Sequence, residues 1–277
     1  MSRAEAIADN VICLSDIMPI DGRVSWLPPR AQGFEAYNKN LVISDQKVLM
    51  IETGVACHGP SLVESVRGIL GTKTLVVFPT RIELDSIGNL ARLYQAFPTT
   101  ELVSANPIAA NRLVHQPDGT TPPIPFTPVT PGQTLSAVGF PNVTVIDPII
   151  RTLGTAWLFD EISKTLFTGD SFCDDLLQSA DTPTIRRAGP PSYAPEGLRA
   201  SILQKFDWLE NASTTLLAKA WDDLFARISP IAIAGVRGRV CVGRENVQEL
   251  LALYREALFP GETKTRATRL NDLANVK

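Results

Sequence analysis

The sequence predicts an α/β protein, a sandwich of two packed mixed β-sheets with helices on the outside. Short β-branched apolar runs such as Thr74–Phe78 predict buried strands, and longer stretches with apolar residues at helical spacing predict helices. Strands and helices come first, a strand-rich middle follows, and helices with one more strand close the chain. This order fits a helix-covered sandwich better than one repeated βα unit. We expect a single domain over residues 1–277, with its core at about 10–260.

The first half of the chain opens with an apolar run at 11–14 and a proline-rich stretch that we expect to be irregular. A hairpin then follows, because two short apolar strands flank Asp45-Gln46. Pro60 is typical of a helix start and Gly71 of a helix end, so one helix is expected between them. The elements predicted here are strands at 41–44, 47–51, 74–78 and 101–104, and helices at 60–70, 87–96 and 107–114.

The second half begins with six prolines within residues 116–136, which predict a surface loop. Apolar residues then recur at helical spacing through 196–227. The tail at 261–277 is polar and expected to be loosely held. The elements predicted here are strands at 143–146, 155–159, 165–168 and 231–234, and helices within 196–227 and at 245–258.

Composition excludes several classes of partner. With 26 basic and 29 acidic residues the net charge is −3, which gives no reason to expect nucleic acid or an anionic membrane surface as a partner. No apolar run approaches the ~18 residues of a membrane span, and acidic residues stand where a signal peptide would be apolar. The four cysteines are scattered, as expected of reduced thiols in a cytoplasmic protein. Oligomeric state is left open, homo-oligomers included.

The two histidines, His58 and His115, limit the chemistry of the chain, because histidine is the commonest metal ligand and general base. Polar residues instead cluster where predicted strands end, which is where a scaffold displays functional groups. The segments concerned are 80–88, 147–151, 169–172 and 235–238.

These segments resemble the metallo-β-lactamase fold and, within it, the di-iron oxygen-binding domain of flavodiiron proteins and their oxygen-sensing relatives. That branch carries Thr-His-x-Glu-x-Asp-His-x-Gly, matched by residues 80–88, and then Pro-x-x-His, matched by 148–151. Its Leu-Phe-(Ser/Thr)-x-Asp-x-Phe-Gly corresponds to 166–173, and its His-Gly turn to 237–238. The resemblance covers roughly residues 10–260 and implies a four-layer αββα sandwich. The flavodoxin-like domain of flavodiiron proteins is expected to be missing, and no cofactor is expected.

The departures from this pattern fall on the metal ligands. The three carboxylates are kept as Glu83, Asp85 and Asp170. The four histidine positions are occupied by Arg81, Ser86, Arg151 and Arg237. His58 and His115 fall outside every motif position and are not expected to substitute.

Electrostatics then argues against a metal. An arginine has no lone pair to offer and stays protonated, and like unit charges 4 Å apart repel by about 4 kcal/mol at an effective dielectric of 20. Three arginines and three carboxylates, by contrast, sum to zero charge and can pair with each other. We expect the guanidinium groups to replace the metal ions as countercharge, with no stoichiometric iron or zinc.

Three functions, besides a purely structural salt-bridge network, are compatible with such a site. The first is a small-anion-binding or regulatory protein that is not expected to be a metalloenzyme and whose pocket is lined by Arg81, Arg151 and Arg237. The second is a metal-independent hydrolase or lyase acting on a carboxylated or phosphorylated small molecule, in which Asp85, Glu83 and Asp170 would supply acid–base groups. The third is a metallohydrolase or a di-iron oxygen-reactive protein with an unusual ligand set.

Ser86 and Cys173 are expected to bind the ligand of this pocket together with the arginines, and three residues carry further expectations. Cys173 follows the aspartate motif and would gain thiolate character from nearby arginines. Ser86 precedes Ile87 and is expected to act as a helix N-cap rather than as a nucleophile. Trp26, in the proline-rich N-terminal stretch, is expected at the pocket mouth or at a subunit interface.

Overall fold

The computed structural model describes residues 2–22, 27, 31–106, 124–151, 154–189, 191, 193 and 195–261. Two seven-stranded sheets pack face to face, and helices cover their outer faces. The expected sandwich of two mixed sheets is therefore confirmed. Trp26, His115, the predicted helix at 107–114 and most of the tail lie outside the described residues, as does much of the 116–136 loop.

The strands predicted within the described residues all form, but five further strands, at 3–8, 126–128, 134–135, 185–186 and 240–242, were not predicted. Two of these lie in the 116–136 stretch, so its described part is not the surface loop that the prolines predict. The strands are β1 Arg3–Ala8, β2 Val11–Pro19, β3 Phe34–Ile43, β4 Lys47–Ile51, β5 Thr74–Phe78, β6 Glu101–Ser104, β7 Phe126–Pro128, β8 Thr134–Leu135, β9 Phe140–Ile146, β10 Trp157–Asp160, β11 Thr165–Phe167, β12 Ile185–Arg186, β13 Ala232–Ala234 and β14 Val240–Val242. The helices are α1 Gly59–Leu70, α2 Leu84–Ile87, α3 Leu90–Ala96, α4 Pro195–Lys205, α5 Thr214–Ile228 and α6 Arg244–Leu258.

The first sheet has the order β1-β2-β3-β4-β5-β6-β7, antiparallel up to β4 and parallel from there on. The predicted hairpin is confirmed as β3 and β4. The N-terminal stretch differs from the expectation, because β2 continues as a strand to Pro19 and pairs with β3 along its whole length. Buried polar residues such as Asn38 and Lys39 interrupt the apolar pattern of β3, which hid this pairing from a hydrophobicity argument.

The second sheet has the order β12-β14-β13-β11-β10-β9-β8 and is also mixed. Its centre pairs β11 in parallel with β13 and antiparallel with β10. Leu158 on β10 and Phe167 on β11 face the first sheet, whereas Trp157 and Leu166 face the outer helices. The period of two therefore assigns each strand residue to one of two cores.

The same alternation holds in β5, where Val76 and Phe78 lie between the sheets and Leu75 and Val77 pack under the helices. Helices α1 and α3 cover the first sheet, and α4, α5 and α6 cover the second. Within the described residues, no helix combines the length and the apolar character that crossing a bilayer requires.

The single helix predicted at 87–96 is in fact two short helices, α2 and α3. Gly88 and Asn89 lie between them, and position 88 requires glycine because a Cβ there would lie 2.6 Å from the carbonyl oxygen of Gly54. The Asn89 amide donates to the carbonyl oxygens of Thr53 and Val55, at 2.8 and 2.9 Å. These contacts fix the residues after β5 against the loop after β4, at the edge of the sheets where the sequence predicts the site.

Candidate functional site

Asp85 lies at the centre of the site and has no exposed surface. One nitrogen of Arg81, Nη2, donates to both carboxylate oxygens at 2.7 Å. Nε of Arg237 approaches Oδ2 from the other side at 3.0 Å. Both arginines are 2% exposed. Two guanidinium groups therefore hold one buried carboxylate between them, and we call Arg81, Asp85 and Arg237 the arginine cluster.

The two sheets bring this cluster together. Arg81 follows β5 and Asp85 lies in α2, both on the side of the first sheet. Arg237 comes from the connection between β13 and β14 of the second sheet. Asn38 of β3 anchors that connection, because its amide donates to the carbonyl oxygens of Gly235 and Gly238 at 3.1 and 2.9 Å. The cluster is thus an ion-paired contact between the two halves of the sandwich.

Further carboxylates surround the cluster. Glu35 on β3 lies 3.3 Å from Nη1 of Arg237 and is buried. Around Arg81 Nε, Glu83 lies at 3.3 Å with its side chain half exposed, and Asp170 lies at 4.0 Å. The carboxylates around the two guanidinium groups thus outnumber them, whereas the sequence predicts equal numbers. This site therefore has no excess of positive charge.

Glu52 forms the floor of the site beneath Thr80. The Thr80 hydroxyl donates to one carboxyl oxygen, and the Thr80 amide lies 3.4 Å from the other. Complete burial raises the pKa of Glu52 to about 7, although Arg81 and the Thr80 hydrogen bond partly oppose the shift. Glu52 is therefore an acid whose charge changes near neutral pH.

The arginines stay charged in spite of their burial. Burial alone would lower the pKa of Arg81, but Asp85 and Asp170 together with other carboxylates raise it above its ordinary value. The pKa of Arg237 is raised in the same way, chiefly by Asp85 and Glu35. Burial, reinforced by the charge of Glu35, also raises the pKa of Tyr37, which stays a neutral phenol beside the cluster.

Arg151 lies apart from the other two arginines. Its guanidinium pairs with Asp147 four residues earlier, and both side chains are about half exposed. Its carbonyl oxygen accepts a hydrogen bond from the Trp208 indole at 3.0 Å. The structure therefore places Arg151 at a surface cavity between its loop and α5, and the expected pocket lined by three arginines is not formed.

Two expectations for neighbouring residues are wrong. Glu83, not Ser86, occupies the N-cap position of α2, and Ser86 lies buried inside that helix. Cys173 is also buried, and burial raises the pKa of its thiol to about 11 because it outweighs the attraction of Arg237. At neutral pH burial therefore favours the protonated thiol of Cys173, which is the less reactive form.

His58 lies at the edge of the site, although it falls outside every motif position. Its ring is 6.0 Å from that of Tyr37, and its Nδ1 is 3.7 Å from a carboxylate oxygen of Asp16. Asp16 is bound at 2.5 Å by the buried ammonium group of Lys39. Burial lowers the pKa of His58, partly against the attraction of Asp16. A second, separate ion pair thus borders the arginine cluster.

Comparison of the whole structure with solved structures identifies the architecture. Rubredoxin oxygen:oxidoreductase from Desulfovibrio gigas superposes with a TM-score of 0.65 at 18% identity, over 92% of this chain and 61% of that one. The Flv1 flavodiiron core from Synechocystis sp. PCC6803 gives 0.66 at 16%, over 93% and 60%. The metallo-β-lactamase FIM-1 from Pseudomonas aeruginosa gives 0.57 at 15%, over 94% and 97%. The chain has the metallo-β-lactamase fold.

Within this fold the chain resembles the flavodiiron domain, and it spans about three fifths of the length of the two flavodiiron-type chains named above. No protein-family model matches the sequence, and no curated protein is significantly similar to it. The agreement in architecture at such low identity means that the fold tolerates replacement of most side chains.

The residues present do not fit the metal that other structures with the metallo-β-lactamase fold hold, such as the mono-zinc form of FIM-1. The carboxylate at the centre, Asp85, is already bound by two guanidinium groups that have no lone pair to donate. In the part of the chain that the structure describes, no three histidine, cysteine or acidic side chains are grouped so that they could hold a metal ion.

Sequence reasoning missed Glu35, Glu52 and Tyr37. Glu35 and Tyr37 lie on one face of β3, whose first half was not recognised as a strand. Glu52 follows β4 in a positive-φ conformation (φ 69°), which a non-glycine residue rarely adopts. An acidic residue directly after a buried strand is the signal that could have identified Glu52.

Proposed function

We propose that this chain is a binding or regulatory protein with the metallo-β-lactamase fold that works without a bound metal. One observation carries the proposal: Arg81 and Arg237 both bind Asp85, so the guanidinium groups supply the positive charge that metal ions supply elsewhere in the fold. Breaking either pair to admit a metal would leave a buried charge without its partner, which costs about 3–5 kcal/mol.

The ion pairs also limit which residues act on a ligand. Asp85 is held from two sides and is a poor general base, because a proton on it would leave two buried guanidinium groups facing a neutral acid. Arg81 and Arg237 are neutralised by internal carboxylates and offer little attraction to an external anion. We therefore assign the cluster a structural role and expect small-anion binding to use an arginine outside it.

Elemental analysis of the purified protein tests the proposal. The protein is produced in medium supplemented with iron and zinc, desalted without chelator, and measured by inductively coupled plasma mass spectrometry. We expect less than about 0.1 metal ion per chain, because arginines, which have no lone pair to donate, replace three of the four histidine ligands. A content of one or two metal ions per chain that falls in the Asp85→Asn variant would contradict the proposal.

A ligand-restored variant is the matched positive control. In it, Arg81→His, Ser86→His and Arg237→His return three positions to the residue that the flavodiiron pattern carries. If the restored variant binds zinc while the original protein does not, the arginines are the reason for the difference. Circular dichroism of both proteins shows whether the restored chain is folded, and zinc titration of the original protein stands as a test if it is not.

A further inference from the structure

A cavity of about 900 Å³ lies on the outer side of the second sheet, between the loop at 147–151 and helix α5. Its walls are mainly apolar and include Ile149, Trp208, Leu217 and Leu224. The Trp208 indole is 38% exposed, and its hydrogen bond to the Arg151 carbonyl holds the ring against the loop. The volume lies within the range of about 300–1,000 Å³ that is typical of small-molecule sites.

The charged residues that line the cavity differ in whether they have an ion-pair partner. Arg151 is paired with Asp147, and Asp223 is paired with Lys219 at 2.5 Å. Arg227, near the end of α5, also lines the cavity and is exposed. No acidic residue in the described ranges forms an ion pair with Arg227. The cavity thus combines a mainly apolar wall with a guanidinium group that has no acidic side chain within 4.0 Å among the described residues.

We propose that this cavity binds a small amphipathic anion, an aromatic or aliphatic carboxylate or sulfonate. Its acidic group would pair with Arg227, and its apolar body would lie against Trp208 and Leu224. A planar guanidinium group binds such oxyanions well, and apolar walls that exclude water strengthen the pair. The inference rests on the proposed function only in that the protein acts by binding, since the cavity shares no residue with the arginine cluster.

Two fluorescent probes that differ in charge test this inference. 8-Anilinonaphthalene-1-sulfonate carries an anionic group, and N-phenyl-1-naphthylamine has the same rings without it. We expect one sulfonate probe to bind per folded chain. Arg227→Gln should weaken the sulfonate probe about tenfold and the neutral probe less than twofold, because it removes a charge-assisted hydrogen bond. Arg227→Lys should keep most of the affinity.

Two further variants locate the site. Ala220 lines the cavity at an exposed position of α5, so Ala220→Phe should obstruct the cavity without disturbing the core and should weaken both probes at least fivefold. Arg92→Gln removes an exposed arginine of α3, outside the cavity, and should change neither affinity. Sulfonate binding that is unaffected by Ala220→Phe, or lost equally for both probes in Arg227→Gln, would overturn the inference.

The outcome is distinguishable from that of the metal analysis. If the protein holds metal but the sulfonate probe still depends on Arg227, the metal-free proposal fails and the cavity proposal stands. If the protein is metal-free but neither variant changes probe binding, the cavity proposal fails alone. If this surface instead docks another protein, both probes should bind weakly and Arg227→Gln should not change their affinities. That result would overturn the cavity proposal.

Discussion

The molecule uses arginine in two different ways. In the arginine cluster, Arg81 and Arg237 are 2% exposed and bound to buried carboxylates of the same chain. At the α5 cavity, Arg227 is exposed and has no acidic partner among the described residues. The same side chain is a structural countercharge in the first region and an available ligand group in the second. What decides its role is whether the fold already supplies its anion.

The largest contrast concerns thiol reactivity. Cys173 is buried near the cluster with its pKa raised to about 11, whereas Cys57 is exposed. Since the thiolate is the reactive form, iodoacetamide should modify Cys57 at least about a hundredfold faster than Cys173 in the folded protein. Peptide mass spectrometry over a time course measures both rates. Equal rates would mean that the region around the cluster is open to solvent.

The next contrast compares the stability of the two kinds of ion pair. Arg237→Met leaves Asp85 and Glu35 buried without one partner and should lower the free energy of unfolding by about 3 kcal/mol or more. Arg151→Met breaks an exposed pair with Asp147 and should cost less than about 1 kcal/mol. Urea denaturation of both variants provides the comparison. A similar small loss in the two would refute a structural role for the cluster.

The pH dependence of stability depends on Glu52. Its folded pKa of about 7 lies above the ordinary value of 4.5, so the folded state binds its proton more tightly than the unfolded state does. The stabilisation is therefore present below pH 4.5 and is lost as the pH rises through 7. We expect a loss of about 2 kcal/mol between pH 5 and pH 8, and Glu52→Gln should remove most of that slope. A slope that is unchanged in the variant would assign it to another group.

The smallest effect tests whether an arginine becomes available when its partner is removed. Asp147→Asn frees Arg151 at the cavity wall and should strengthen binding of the sulfonate probe two- to threefold, with no change for the neutral probe. Glu161→Gln frees Lys164 from an exposed pair outside the cavity and serves as the control, since it should change the affinity for neither probe. Weaker sulfonate binding in Asp147→Asn would show that Arg151 does not face the bound probe.

The fold was predictable because its signals are local. The runs that became β5, α1 and α6 carry their own periodicity and end signals, and the pairing of Arg81 with Asp85 follows from their spacing of four residues after one strand. The direction of the Arg151 side chain was not predictable from its motif. Arg151 lies in a loop, where no strand alternation determines the side on which a side chain lies. Its nearest acidic residue, Asp147, does lie four residues earlier and was the available clue.

The carboxylates that surround the arginine cluster were not predictable, because they contact it from distant parts of the sequence. Glu35 meets Arg237 across about 200 residues, and no sequence pattern connects them. The count of charges made from the sequence did not include Glu35 and Glu52. It therefore predicted a neutral pocket, whereas the site contains more carboxyl groups than guanidinium groups. Motif positions identified which residues had replaced the metal ligands, and only the packed sheets specified which carboxylates these residues bind.

The central claim, that guanidinium groups occupy the place of the metal, is tested most directly by anomalous diffraction. Crystals of the full chain are soaked in millimolar zinc or iron(II) and measured at the corresponding absorption edges. The account predicts no anomalous peak within 4 Å of Asp85 and Asp170, with Arg81 and Arg237 both bound to Asp85. A peak at that position, with either guanidinium group displaced from Asp85, would contradict it.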